Sequence, residues 1–498
     1  MGLRFDWYHK VAESFIAVLA AELLDHIALP TAGLSQAKIE QRDQDYRDLA
    51  HQMLSAFYRA SVTLSHEPTA VAIPLTQQHY SATGESRHKV PYSYTYTIKI
   101  KDTLLGLGWI ALAEESQVGR SSRFAAAGAL ALKFSQIGLI WMPSELTPAD
   151  KLVVLRDYKP LEAGQTKSKR RKRPKVDLSV PESDDVVSYR QTLYRYNQFI
   201  GQHCISLDVD DDNLTELLED LFNNNDEKGS KDQFIDLSRT QLTRIFSRGS
   251  MTKGGRFYRG WWQSLPSKHR PLIRIDGYKT DEVDYSAVGV RIIYGKLGID
   301  YPLDKDPYDI GLDNWRGPDD PRRKIIKKYI SALINDEEGN FSLDKEKLSL
   351  LGVSKKTLKN LLIKEHGPIL DSFSTGIGLD AQFTDSVVAE AVIMDMMKDD
   401  IVVLPIHDSF IVRAGYRQHL EQVMNAAFSD IAHASVATEA TGIKTNNHFN
   451  MSMAEVDELA KTVNQVVSTP DLSFNSLLKN HNSVMNKYLS SWESWRRG

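Results

Sequence analysis

A chain of 498 residues, 42% hydrophobic and 25% charged, has the length for roughly two to four domains and the composition of an ordinary globular protein. Its net charge of −4 excludes a polycation, and the single Cys204 excludes an intramolecular disulfide or a cysteine-cluster metal site. No apolar run approaches the roughly 20 residues of a membrane span and the opening MGLRFDWYHKVAESF lacks a signal-peptide pattern, so the expected compartment is the cytoplasm, with no membrane partner.

Residues 1–155 read as a small mixed α+β domain. Within it, Pro91 and Ser93 open a helix that reaches about Leu107, Gly108 caps it, and WIALAEE reads as a strand. The polar turn SQVGRSS then leads to a second strand at RFAAAG. Helix, strand, basic turn and strand in that order resemble a winged helix, which lays a helix in the DNA major groove; a generic α+β domain is the alternative. Residues 156–185 read as a basic linker, because KSKRRKRPK (167–175) holds seven basic residues in nine. Such a run is solvated chain between domains, or it also neutralises DNA phosphates through Lys169, Arg170, Arg171, Lys172 and Arg173.

Residues 186–250 read as mostly helical, and 251–498 as an α/β core with C-terminal helices. Two places in that core break the apolar pattern. In VLPIHDSFIV (403–412), His407 and Asp408 interrupt two Val- and Ile-rich runs that read as buried strands. An unpaired buried carboxylate costs several kcal/mol or more, so Asp408 needs a reason to be there. In DEVDYSAVGVRIIYGKL (281–297), Asp284 ends a short strand just before a helical pattern. Two carboxylates at neighbouring strand ends can hold two Mg²⁺ ions about 3.5–4 Å apart, an ion that takes few protein ligands.

Between them, DDPRRKIIKKYISALIN (319–335) opens with residues suited to a helix N-terminus. Ile326, Tyr329, Ile330 and Leu333 form its buried stripe, with Arg323 and Lys327 on the flank and Lys324 and Lys328 further out. A cationic pair one turn apart can grip a triphosphate; the same pattern also fits a solvated basic face.

Together the three elements resemble the polymerase motifs of family A DNA polymerases and the related single-subunit bacteriophage-type RNA polymerases. Asp284-Tyr285-Ser286 with Arg291 resembles their first motif, DYSxxxxR; Arg323-xxx-Lys327 resembles the start of their fingers helix; His407-Asp408-Ser409 resembles their third motif in its RNA-polymerase form. The resemblance covers roughly residues 250–435. It implies a right-hand polymerase fold, with palm, fingers and thumb-like helices (the last at 186–250). It also implies two Mg²⁺, with Mn²⁺ as a substitute, at Asp284, Asp408 and Tyr285. Arg323, Lys327, Ser286, Gly289, Tyr329 and Asn335 would then surround the nucleotide, and His407 would lie near the primer end. GGRFYRGWWQSLP (254–266) is similar to a segment near template and hybrid, and QFTDSVVAEAVIMDMM (382–397) occupies the place of the helix before the third motif. Arg256 and Arg259 of the one, Gln382 and Asp385 of the other, and Arg291 of the first motif are expected template or primer contacts. An aromatic packing loop, and the polar start of a helix at 382–385, are the alternatives.

Two departures matter. Where the DNA polymerases place a Glu that excludes the ribose 2′-hydroxyl, this chain has Gly289. Twelve residues after the fingers-helix Arg, where both families commonly place Tyr-Gly, it has Asn335-Asp336; either the helix aligns differently, with Tyr329 or Tyr308 stacking on the base, or sugar selection is done otherwise. No proofreading exonuclease pattern stands out in residues 1–185. The implied function is DNA-templated 5′–3′ nucleotidyl transfer accepting NTPs, alone or together with dNTPs, as in a primase-polymerase of a mobile element, with accessory replication proteins as candidate partners. The alternatives are a polymerase restricted to dNTPs and primers, and a DNA-binding replication initiator with a degenerate core.

Overall fold

The computed structural model describes residues 2–4, 14–65, 69–75, 77, 80, 93–115, 121–159, 175–228, 234–337, 341–441 and 481–497. The chain is mixed α and β, as its patterning predicts, and no described helix is long and apolar enough to cross a membrane.

The N-terminal unit has a core of its own. It comprises β1 (Gly2–Arg4), α1 (Ser14–Leu24), α2 (Gln36–Val62), β2 (Leu64–Ser65), β3 (Ala70–Ala72), α3 (Tyr94–Gly106), β4 (Ile110–Glu114), β5 (Arg123–Ala126) and α4 (Gly128–Ile137). Leu49, Met53, Phe57 and Ala60 recur along α2 at helical spacing and pack with Ile100, Leu104 and Phe134. Its sheet runs β1-β3-β5-β4. The expected order at 93–126 is present: Ser93 precedes α3, Gly108 follows it at φ +65°, and β4 pairs antiparallel with β5.

The body follows: β6 (Val153–Tyr158), β7 (Lys175–Leu178), α5 (Asp184–Ile200), β8 (Ile205–Leu207), α6 (Asp211–Lys228), β9 (Phe234–Ile235), β10 (Thr243–Ser247), β11 (Ser250–Tyr258), β12 (Ile273–Ile275) and β13 (Tyr278–Tyr285). Then come α7 (Val288–Lys296), α8 (Arg323–Asn335), α9 (Lys345–Leu351), α10 (Lys355–His366), α11 (Gly378–Lys398), β14 (Val403–Ile406), β15 (Ser409–Arg413), α12 (Arg417–Ala432), β16 (Thr438–Thr441) and α13 (His481–Arg497). One sheet runs β11-β10-β6-β7; a six-stranded sheet runs β14-β15-β13-β12-β8, with β16 also on β13.

The structure divides the chain differently from the expected boundaries. β6 crosses residue 155 and pairs in parallel with β10, so this stretch belongs to the body. Tyr158 faces Lys175 in the antiparallel β6–β7 pair, so the basic run connects two adjacent strands instead of two domains. Lys169, Arg170, Arg171, Lys172 and Arg173 lie outside the described residues. Over 186–250 the expected helices are present as α5 and α6, and the short β8, β9 and β10 add strands to three sheets.

The two units are joined by a buried ion pair. Arg59 of α2 donates through Nη2 to Asp236 Oδ2 at 2.5 Å, and the two side chains are 1% and 4% exposed. The β2–β9 pair lies alongside, and Trp141 N donates to Ser491 of α13 at 2.7 Å. Arg59→Ala leaves the buried Asp236 charge to Arg239, 3.4 Å away, and to Ser238, so the cost is about 3 kcal/mol, the low end for a broken buried pair. The urea midpoint should fall accordingly, whereas Arg59→Met combined with Asp236→Leu should recover most of the loss, as denaturation followed by circular dichroism can measure.

Candidate active site

Asp284 stands at the end of β13 and Asp408 in the two-residue turn between β14 and β15. The ladder sets their relation: Asp284 is opposite Ser409, and Tyr285 N donates to Asp408 O at 3.3 Å. The two aspartates that the sequence separates are thus neighbours across one strand pair. Burial pushes the Asp284 carboxyl up to about 7, the Asp408 charge adds to the rise, and Lys327 opposes it. Asp284 Oδ1 is buried and accepts no hydrogen bond among the described residues.

The turn is held under strain. Hairpin turns of this length place a residue at φ > 0, where glycine or asparagine is usual, and here His407 takes it at +60°. Such a conformation costs on the order of 1–3 kcal/mol and persists only where the surroundings enforce it. The surroundings do: Trp262 Nε1 and Gln263 Nε2 both donate to Pro405 O, at 3.1 and 2.9 Å. Trp261 and Trp262 are therefore packing residues, as the alternative reading of GGRFYRGWWQSLP has it. The His407 ring is edge-on to Tyr258 at 5.4 Å, and burial, then Arg256, holds it down at about 4, so it is neutral at neutral pH.

Arg256 comes from β11, whose pairing with β10 is bulged at Gly254 and Gly255. A bulge re-aims the following side chain. At Gly255 (φ +75°) a Cβ would crowd Phe246 and Ser386, so the strand lies tight against α11. Arg256 Nε donates to Asp385 Oδ2 at 2.7 Å, and its charge also acts on His407 and Asp408. Asp385 is 2% exposed and faces Arg256, not an open surface, which corrects its expected role as a template or primer contact. Gln382, one turn earlier, is half-buried, and Arg259 is half-buried at φ +89°.

Helix α8 faces the aspartates across the site. Lys327 is exposed, close enough to act on Asp284, and forms no ion pair among the described residues. Arg323 is held by Asp306, with Nε and Nη2 donating at 2.5 and 3.1 Å. Under both cations lies Tyr308, whose ring centroid is 5.1 Å from the Arg323 guanidinium and 5.8 Å from Lys327 Nζ. Burial raises its phenol to about 12 despite Arg323, with Asp306, Asp408 and Asp284 adding to the rise. Tyr308 thus packs under the cations of α8, near enough to both aspartates to feel their charge. Gly289, in the first turn of α7, borders open space: a Cβ there would meet nothing within 4 Å.

Several other expected residues face inward. Tyr329 is buried against Phe341, 5.9 Å between ring centroids, whereas Asn335 is exposed, its Nδ2 donating to Ser331 O at 2.8 Å. Of the two candidates for stacking on a base, only Tyr308 is beside the site. Arg291 is 1% exposed and donates to the carbonyls of Tyr301, Ser435, Pro302 and Lys305, a clamp on the loop after α7 and not a nucleic-acid contact. Tyr285 turns its phenol away to Met424 O at 2.6 Å, so only its main chain borders Asp284; Ser286 N donates to Ala437 O at 2.8 Å. The buried stripe of α8 uses Ile334 where the sequence suggests Leu333.

Glu439 of β16 lies directly opposite Asp284 on its other side and also raises its pKa. No local signal marked Glu439 or Asp306. Among the described residues no three His, Cys, Asp or Glu side chains form a metal cluster. Two adjacent carboxylates, one with a buried unpartnered oxygen, nonetheless fit a hard divalent ion that draws its remaining ligands from water and phosphate. No protein-family model matches the sequence, and no curated protein matches it either.

The raised Asp284 has a stability consequence. Its ordinary value is 3.8, so between pH 4 and 7 the folded state holds a proton that the unfolded state releases. That contribution is full below about 3.8 and is lost as pH rises through about 7. In chelator at pH 8, Asp284→Asn should therefore stabilise the fold, on the order of 2 kcal/mol. The gain should vanish near pH 4; melting curves at the two pH values measure it, and an equal loss at both would refute the assignment.

Proposed function

We propose that the protein is a template-directed 5′–3′ nucleotidyltransferase on DNA, with a right-hand polymerase architecture and NTPs among its substrates. The observation that carries this reading is the pair Asp284, at the end of β13, and Asp408, in the turn that enters the neighbouring β15, with Lys327 facing Asp284 from α8. On this reading the six-stranded sheet is the palm, α8–α10 the fingers and α5–α6 the thumb-like helices.

Asp284 and Asp408 would hold Mg²⁺, or Mn²⁺ in its place. The bound ions supply Lewis acidity for the attacking 3′-hydroxyl and charge neutralisation for the departing pyrophosphate. Lys327 would meet the triphosphate as a point charge, and Arg323 through its fork once Asp306 is displaced. Tyr308 would stack on the nucleotide, replacing the Tyr-Gly that this chain lacks. The space at Gly289 leaves room for a ribose 2′-hydroxyl. Neutral His407 would border the primer end without adding charge. Catalysis is then mainly positioning and electrostatic stabilisation.

The test is synthesis from labelled NTPs or dNTPs with Mg²⁺ on single-stranded DNA, with and without primer, beside Asp408→Ala. RNA products are expected, and Asp408→Ala should lose activity at least ~10²-fold. Gly289→Glu should shift selection toward dNTPs. Use of dNTPs alone would restrict the enzyme to primer extension, and DNA binding without synthesis would leave an initiator instead of an enzyme.

A further inference from the structure

Helices α9 and α10 follow α8 in the chain, and the proposed catalysis assigns no residue of either to metal or nucleotide. Three residues, Gly352-Val353-Ser354, join them. Asp344 caps α9 by accepting from Lys347 N at 2.8 Å. The helix ends at Gly352, whose φ of +69° suits glycine, with Val353 N reaching back to Leu348 O at 3.2 Å. Ser354 then caps α10, accepting from Thr357 N at 3.1 Å. Two helices joined by a three- or four-residue turn containing glycine form the connection of a helix-turn-helix.

The faces of α10 differ sharply. Leu358, Leu362 and His366 are buried, and His366 fixes the helix end through Pro307 O (2.8 Å) and Tyr294 Oη (3.1 Å). Lys355, Lys356, Lys359, Asn360 and Lys364 are exposed, and these lysines form no ion pair among the described residues. The one carboxylate of α10, Glu365, faces away toward Lys305 and Tyr301. A solvated helix usually balances its charges at i, i+4; this face carries one sign only.

We propose that α9–α10 is a helix-turn-helix that seats α10 in the major groove of duplex DNA. B-DNA's major groove, about 12 Å wide, admits a helix. Lysines at the first, second and fifth positions of α10 meet phosphates or guanine edges, and Asn360 has the amide that pairs with adenine. A-form RNA offers only a deep, narrow major groove, so the partner is DNA. The inference concerns binding and does not depend on the proposed catalysis.

The test uses the full chain without nucleotide or divalent ion. Fluorescence anisotropy follows a labelled duplex and a single strand of the same length across a salt series. Replacing Lys355, Lys356 and Lys359 together with Gln should weaken duplex binding at least about tenfold and flatten the log–log salt slope by about 2–3. Single-strand affinity should hold, and the Arg-for-Lys triple should retain duplex binding. Unchanged duplex affinity in the Gln triple, an equal loss on the single strand, or equal competition by duplex RNA would overturn the proposal.

Discussion

Asp284 meets Asp408 because β13 and β15 pair in one register. Val283 lies opposite Phe410 on the face that packs Tyr285 and Phe428, and Asp284 lies opposite Ser409 on the other. A slip of one residue would turn every side chain of β13 over, carrying Asp284 into the aromatic core and Val283 into the site. Burial of Val283 and Phe410, both fully enclosed, is what forbids the slip. Ser409 Oγ reaches Glu282 Oε1 at 2.8 Å on the site face, and Arg270 reaches the same oxygen at 2.6 Å. The hydrophobic face sets the register, and the polar face inherits it.

A second sheet reaches the site through the bulged β11. Arg244 anchors that strand from below: it is fully buried, donates to Gly255 O, Glu390 and Ser386, and stacks on Tyr189 at 4.0 Å. Arg256, one residue on from Gly255, is thereby held between Asp385 and the charges of the turn. Positive charge comes from β11 on one side and α8 on the other, with the two aspartates between. This arrangement keeps acidic groups that would repel one another together in a partly dry place.

Sequence reading reached what local pattern encodes. A carboxylate interrupting a Val- and Ile-rich run is visible because it violates the pattern of a buried strand, and the stripe of α8 is visible because its period is helical. Pairing between distant strands leaves no such trace. Nothing in VVLRDY announces that it will lie beside β10, and the basic run after it reads as a linker only when that pairing is unknown. Glu439 is placed by β16, and Tyr308 by a loop that Arg291 clamps from within. Arg291 and Asp385 illustrate the opposite failure: a charged residue in a motif was expected to face a ligand, and each faces the protein. The helix at 319–335 is legible from its stripe, but the exposed basic face of α10 needs the fold to show which side is buried.

In the resting site the Arg323 fork is already filled by a carboxylate. On the proposed reading, an incoming anion gains only the difference between its own grip and that of Asp306. A singly charged or badly shaped phosphate has little advantage over a carboxylate in that contest, whereas a polyphosphate reaching Lys327 as well has a large one. Discrimination against lesser anions would then be set by the occupant of an idle guanidinium, before any base is examined.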